Sequence, residues 1–143
     1  MPQHRIHLRW NASEDNENYR WTLENGHEVC AVAPGSDDRD HDFIDPEEAF
    51  IGAIASCHLL SFVTEAARDG FVVDGYEDQP VGMLEKDRQG KLFVGKVLLT
   101  PKASFGGERQ PSDSEVDAIH RRARGKCIIS NSVTSEIILE PIF

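Results

Sequence analysis

The chain predicts an α+β domain in which antiparallel sheets pack on one long, buried central helix. Three observations carry this. Residues 45–70 read as a single helix, apolar on nearly every face between Ala49 and Val63. Short alternating segments flank it, and the Asn25-Gly26 step is a strong hairpin signal. A second capped helix and a last strand follow, so the element order is ββ(β)–α–ββ–α–β. The length of 143 residues suits one domain, 1–143, with enough chain to bury a core.

Each element has its local reason. In 5–10 the residues Ile6, Leu8 and Trp10 alternate with Arg5, His7 and Arg9, the pattern of a half-buried strand. Residues 11–18 are polar and turn-rich. Residues 19–23 and 27–33 bracket the Asn-Gly turn, with Cys30 in the second strand as core filler. Residues 34–44 form a long acidic loop whose one arginine or lysine is Arg39. In the central helix, Asp45 is a good N-cap, Pro46 suits the first position, and Glu48 completes a capping box. Gly70 is the expected left-handed stop, and Arg68 opposes the negative end of the helix dipole. Polar and small interruptions from Gly52 to Ser61 make this helix too short an apolar run to cross a bilayer, which needs about 20 residues.

Beyond it, 71–86 and 91–101 predict a long β-hairpin around a turn at 87–90. Ser112 and Glu115 form a second capping box, and the helix they start places Val116, Ile119, His120 and Ala123 on one face before ending at Gly125. Cys127 lies just past that stop, and residues 133–139 close the chain as a strand.

The formal charge of −10 argues against nucleic acid and anionic membrane surfaces as partners. No charged-then-apolar leader precedes the first strand, so a cytoplasmic location is expected. Three scattered cysteines are too few for a secreted disulfide framework and make no CxxC pair. The six histidines show no HxxxH spacing, and there is no Gly-rich phosphate loop or GxSxG step, so neither a metal nor an organic cofactor is expected.

The chemistry therefore turns on thiols. A mid-helix cysteine such as Cys57 is inert if merely buried, because apolar surroundings raise its pKa, and reactive if a cation is brought close. Cys127, after a helix stop, is better placed than a mid-helix thiol to approach another sulfur, but spacing alone does not pair the two. His58 is rotated about 100° from Cys57 around the helix, so the neighbours do not form a dyad.

The run PEEAFIGAIASCHLLSFVTEAARDG, a hairpin after it, and a Cys-Ile-Ile-Ser-Asn step after a second helix together resemble the OsmC/Ohr family of osmotically inducible and organic hydroperoxide resistance proteins. The resemblance covers about 10–143. It implies the OsmC-like fold, an intertwined homodimer, and thiol-dependent peroxidase activity on organic hydroperoxides, with hydrogen peroxide as a further substrate. By this resemblance Cys57 attacks the peroxide and becomes a sulfenic acid. Cys127 then resolves it as a disulfide that a small dithiol or dithiol protein reopens. The family's glutamate corresponds to Glu47, and its arginine most nearly to Arg39, with Arg20 as the alternative.

Helix geometry adds a constraint. Ten residues at 1.5 Å each put Glu47 about 15 Å from Cys57 along one axis, too far for one arginine to bridge comfortably. A glutamate serving the site would thus come from the other copy of the helix, and a partner helix would also explain an all-round apolar surface. Phe50, Ile54, Leu60 and Phe62 are expected either to line an apolar access route or to be simple core. Two rival readings keep the fold but not the turnover: a dimeric domain binding a small apolar ligand, and a redox sensor.

Overall fold

The Asn25-Gly26 step turns the chain as expected: Leu23 N–H donates to the His27 carbonyl at 2.8 Å and Gly26 N–H to the Leu23 carbonyl at 2.9 Å. The hairpin belongs to a computed structural model that describes residues 2–10, 19–31 and 44–143. The chain divides into two units, 1–49 and 50–143. In the first, β1 (Ile6–Arg9), β2 (Tyr19–Leu23) and β3 (Glu28–Ala31) form an antiparallel sheet in the order β1-β2-β3. Leu8 stands opposite Trp21, which stands opposite Val29. The apolar set expected to be half-buried is exposed within this unit, with Ile6, Leu8 and Trp10 each more than half accessible.

The central helix α1 spans Pro46–Arg68. Its caps are those read from the sequence. Glu48 N–H donates to Asp45 Oδ1 at 2.7 Å. At the other end Gly70 takes φ +82°, and the bonds Gly70 N–H to Ala67 O and Phe71 N–H to Ala66 O, both 3.0 Å, close a Schellman motif. One expectation for α1 needs correction: at 23 residues it is long and apolar enough to cross a membrane on length and composition alone. Within the single chain it is buried along one side. Ile54, His58, Phe62, Glu65 and Ala66 form one buried stripe, while Leu60 is 69% exposed and Val63 40%. One chain's sheets and second helix cover a single face.

The second unit holds β4 (Val72–Glu77), β5 (Val81–Lys86), β6 (Leu92–Leu99), β7 (Lys102–Gly106), α2 (Asp113–Lys126) and β8 (Glu136–Leu139). The expected single long hairpin is two pairings. β4 pairs antiparallel with β7, and β5 with β6, while β8 adds parallel to β6. The break falls at 78–80, where Pro80 has no amide proton for a ladder and Asp78 Oδ1 accepts the Thr100 N–H at 2.9 Å. Strand β7, ahead of the Gly106-Gly107 break, had no separate sequence signal.

Two apolar cores result. Phe62, Ala66, Phe71, Val116, Ile119 and Ala123 join α1 and α2 over β4 and β7. Ile54, Val97, Leu99 and Ile137 form the other, with Phe50, Ile51 and Ile129 packed against it. The sheet comes close to α1 at Gly82, where a Cβ would collide with the Ile51 side chain. The predicted inward face of α2 is correct: Val116, Ile119, His120 and Ala123 are all buried.

Candidate active site

Cys57 lies in mid-α1, one turn after Ile54, partly accessible at the edge of the buried stripe. Cys127 caps the C-terminus of α2 and is fully buried. The fold brings these two thiols together across 70 residues of sequence. The Cys57 sulfur meets the Cys127 sulfur and the backbone N–H groups of Ile129 and Ile128. All three cysteines are free thiols.

The electrostatics of Cys57 oppose one another. Burial pushes its pKa up, and the adjacent Cys127 adds to the rise, whereas the N–H groups of Ile129 and Ile128 pull it down. The rise prevails. A thiolate formed here would be stabilised by those two peptide N–H groups. The turn that supplies them is braced: Ser130 N–H points at Cys127 Sγ (3.4 Å), Asn131 N–H donates to the Cys127 carbonyl (3.0 Å), and Asn131 Nδ2 to the Gly125 carbonyl (3.3 Å). Ile128 is 73% exposed on its outer side, so the turn lies at the surface while its cysteine faces inward.

The remaining candidates are placed less closely. Glu47 sits exposed on the first turn of α1. Arg39 falls outside the described residues. Arg20, the alternative, forms an exposed 3.6 Å ion pair with Glu28 across β2 and β3. Of the four apolar residues considered for an access route, Ile54 and Phe62 are wholly buried core, and Leu60 is on the exposed face. Phe50 lines an open, largely apolar groove of about 390 Å³ with Phe93, Val94 and Val133.

Two features escaped the sequence. His58 does not face Cys57, as the helical offset requires, but its Nε2 lies 3.0 Å from His120 Nδ1 in the interior. One ring donates and the other accepts. The two imidazoles are nearly coplanar, 5° apart with centroids 5.3 Å apart, edge to edge along that bond, and Phe62 stacks on His120 at 4.1 Å. Burial drives both pKa values down to about 4; Arg124 adds to the effect at His58, and His58 adds to it at His120 against a smaller opposing pull from Asp117. The available signal was two histidines on two inward helix faces.

The second is a carboxylate cluster. Glu65, 3% exposed, accepts Lys126 Nζ at 2.5 Å, Arg68 at 3.2 Å and Arg122 Nε at 3.3 Å. Hydrogen bonding from Lys126 leads in holding its pKa below the usual carboxylate range. Among the described residues no group of three or more His, Cys, Asp or Glu side chains could hold a metal ion.

Residues 39–141 match the profile of the OsmC-like protein family, so the chain belongs to that family. An OsmC-like protein of unknown function from Vibrio cholerae superposes with a TM-score of 0.89 at 32% identity, covering 99% of this chain and all of the other. The organic hydroperoxide resistance protein OhrB of Bacillus subtilis shares the fold, with a TM-score of 0.72, 17% identity and 98% coverage of both chains. The uncharacterized protein YmaD of Bacillus subtilis is 22% identical over 98% of this chain and 93% of its own. The protein thus has the OsmC-like α+β fold, with two helices and mainly antiparallel sheets, and it shares that fold with organic hydroperoxide resistance proteins.

Proposed function

We propose that this protein is a cytoplasmic two-cysteine thiol peroxidase for organic hydroperoxides, working as a single OsmC-like domain in a homodimer. The observation that carries the reading is the meeting of Cys57 with Cys127 and with the two peptide N–H groups beyond it. The Cys57 thiolate attacks the distal oxygen of ROOH, the O–O bond breaks, and ROH leaves with one proton taken up. The resulting sulfenic acid condenses with the Cys127 thiol to give a disulfide and water. A dithiol then reduces that disulfide and is itself oxidised. Arg39 is proposed to supply the cation that burial of Cys57 calls for, with a Glu47 carboxylate orienting it. The exposed Leu60 and Val63 of α1, the exposed Ile6 and Leu8 of β1 and the exposed Trp10 after it support a second copy as their cover.

Turnover of cumene hydroperoxide with a dithiol tests this. Wild type should turn over, and Cys57→Ser should fall to background, a loss of roughly 10³-fold or more. Cys127→Ser should accumulate a trappable sulfenic acid. If wild type and both variants are equally inert, the reading fails. The rival that keeps the dithiol is a redox sensor, whose thiols would oxidise reversibly without turnover.

A further inference from the structure

We propose that Glu65 is the positioning residue of the dithiol: by clamping the last turn of α2 through Lys126, it holds Cys127 against Cys57. The end of α2 is weak by itself. Gly125 was expected to end the helix, but among the described glycines only 26, 70, 90 and 107 take the positive φ of a left-handed stop. Gly125 instead lies inside the last turn, where glycine disfavours helix. The terminal bond, from Cys127 N–H to the Arg124 carbonyl, is long at 3.3 Å, and Cys127 is extended at φ −73°, ψ 106°. No left-handed cap closes this end: Asn131 Nδ2 takes the Gly125 carbonyl from the following turn, and a charged hold acts from the other side.

The hold comes from α1. Glu65 pairs with Lys126, the residue bonded directly to Cys127, and Asp69, one turn later, pairs with Arg122, one turn earlier on α2, at 2.5 Å. Arg122 also reaches Glu65, so two carboxylates and two cations lock one register between the helices. Glu65 is the member sunk in the interface, its side chain 4% exposed against 50% for Lys126. Eight residues separate it from Cys57, about two turns along the same helix. Cys57 and the clamp are therefore carried on one rigid rod, and Cys127 and its anchor on the other. On the far side of Cys127 the turn is held by Ile129, packed on the second core.

This inference deepens the peroxidase reading and takes its biological meaning from it, but the test does not need peroxide. The full-length protein is equilibrated with oxidised and reduced glutathione, and the constant for protein dithiol plus GSSG giving protein disulfide plus 2 GSH is measured. Glu65→Gln should lower it about tenfold, with a similar fall for Lys126→Gln and little further loss in the double variant. The rate at which Cys57 reacts with a monothiol reagent should change little. Phe105→Leu, which loosens the other core without touching the clamp, serves as the control for lowered stability and should leave the constant at the wild-type value. An unchanged constant in Lys126→Gln, or an equal fall in Phe105→Leu, overturns the proposal. Lys126 is half exposed, so its variant keeps the test open if Glu65→Gln does not fold. Failure of turnover with an intact clamp effect would instead count against the peroxidase reading alone.

Discussion

Cys57 and His58 are consecutive residues of α1, and each meets a side chain from the other end of the chain, yet the two encounters are chemically opposite. His58 is 1% exposed, hydrogen-bonded to a second buried ring, and kept neutral by burial. Cys57, about 100° further round the helix, is partly accessible and faces a free thiol and two peptide donors. The histidine pair joins the helices from inside, and the cysteine pair sits at their margin. A buried, partnered pair contributes packing and specificity. A marginal pair with access to small reagents can do chemistry. One residue step separates the two uses.

The comparison breaks most visibly if the histidines are removed. His120→Ala should cost about 2–4 kcal/mol in urea unfolding, from the lost ring volume against Phe62 and the unpartnered His58 nitrogen. The reactivity of Cys57 toward a thiol probe should meanwhile stay within a few-fold of wild type. A large change in thiol reactivity with little loss of stability would show that the histidines belong to the site.

Acid gives the next largest effect. Both histidines have folded pKa values near 4 against an ordinary value of 6.5, so the unfolded chain binds more protons between those limits. Stability from the pair is complete above about pH 6.5, falls as pH drops through the window, and levels off below about 4. For one ring the loss between pH 7 and pH 5 is about 2 kcal/mol. Glu65, with a lowered pKa, adds to the same trend only at more acidic pH, where its carboxylate protonates. Unfolding midpoints at pH 7 and pH 5 check this, and His120→Leu should flatten the difference.

The smallest effect sharpens the comparison from the cysteine side. Cys30 pairs in register with Arg20 between β2 and β3 and is half-buried. Cys30→Ser should alter hydroperoxide turnover by less than about twofold, because a single thiol outside the nucleophile–resolver pair supplies neither step. Turnover lost in this variant would move the resolving role away from Cys127.

How much of this was legible varies by element. The Asp45 N-cap, the Ser112–Glu115 capping box, the Gly70 stop, the Asn-Gly hairpin and the inward face of α2 were all readable, since each depends on contacts within a few residues. The partition of one apparent hairpin into β4–β7 and β5–β6 was not, because period-2 patterning does not name a strand's partner. Nor was the single-sided burial of α1, since an apolar surface says that something covers it but not what. Gly125 misled for a related reason: glycine permits a left-handed stop but does not require one.

The site divides along the same line. Sequence by itself determined that Cys57 sits in mid-helix, that Cys127 follows a second helix, and that His58 points away from Cys57, because local helical geometry sets all three. Only the tertiary structure decided that Cys57 meets Cys127, that His58 meets His120, and that Glu65 gathers Lys126, Arg122 and Arg68. Those meetings depend on the register in which α1 and α2 pack. That register is set by the summed fit of many side chains, and no short stretch of sequence carries it.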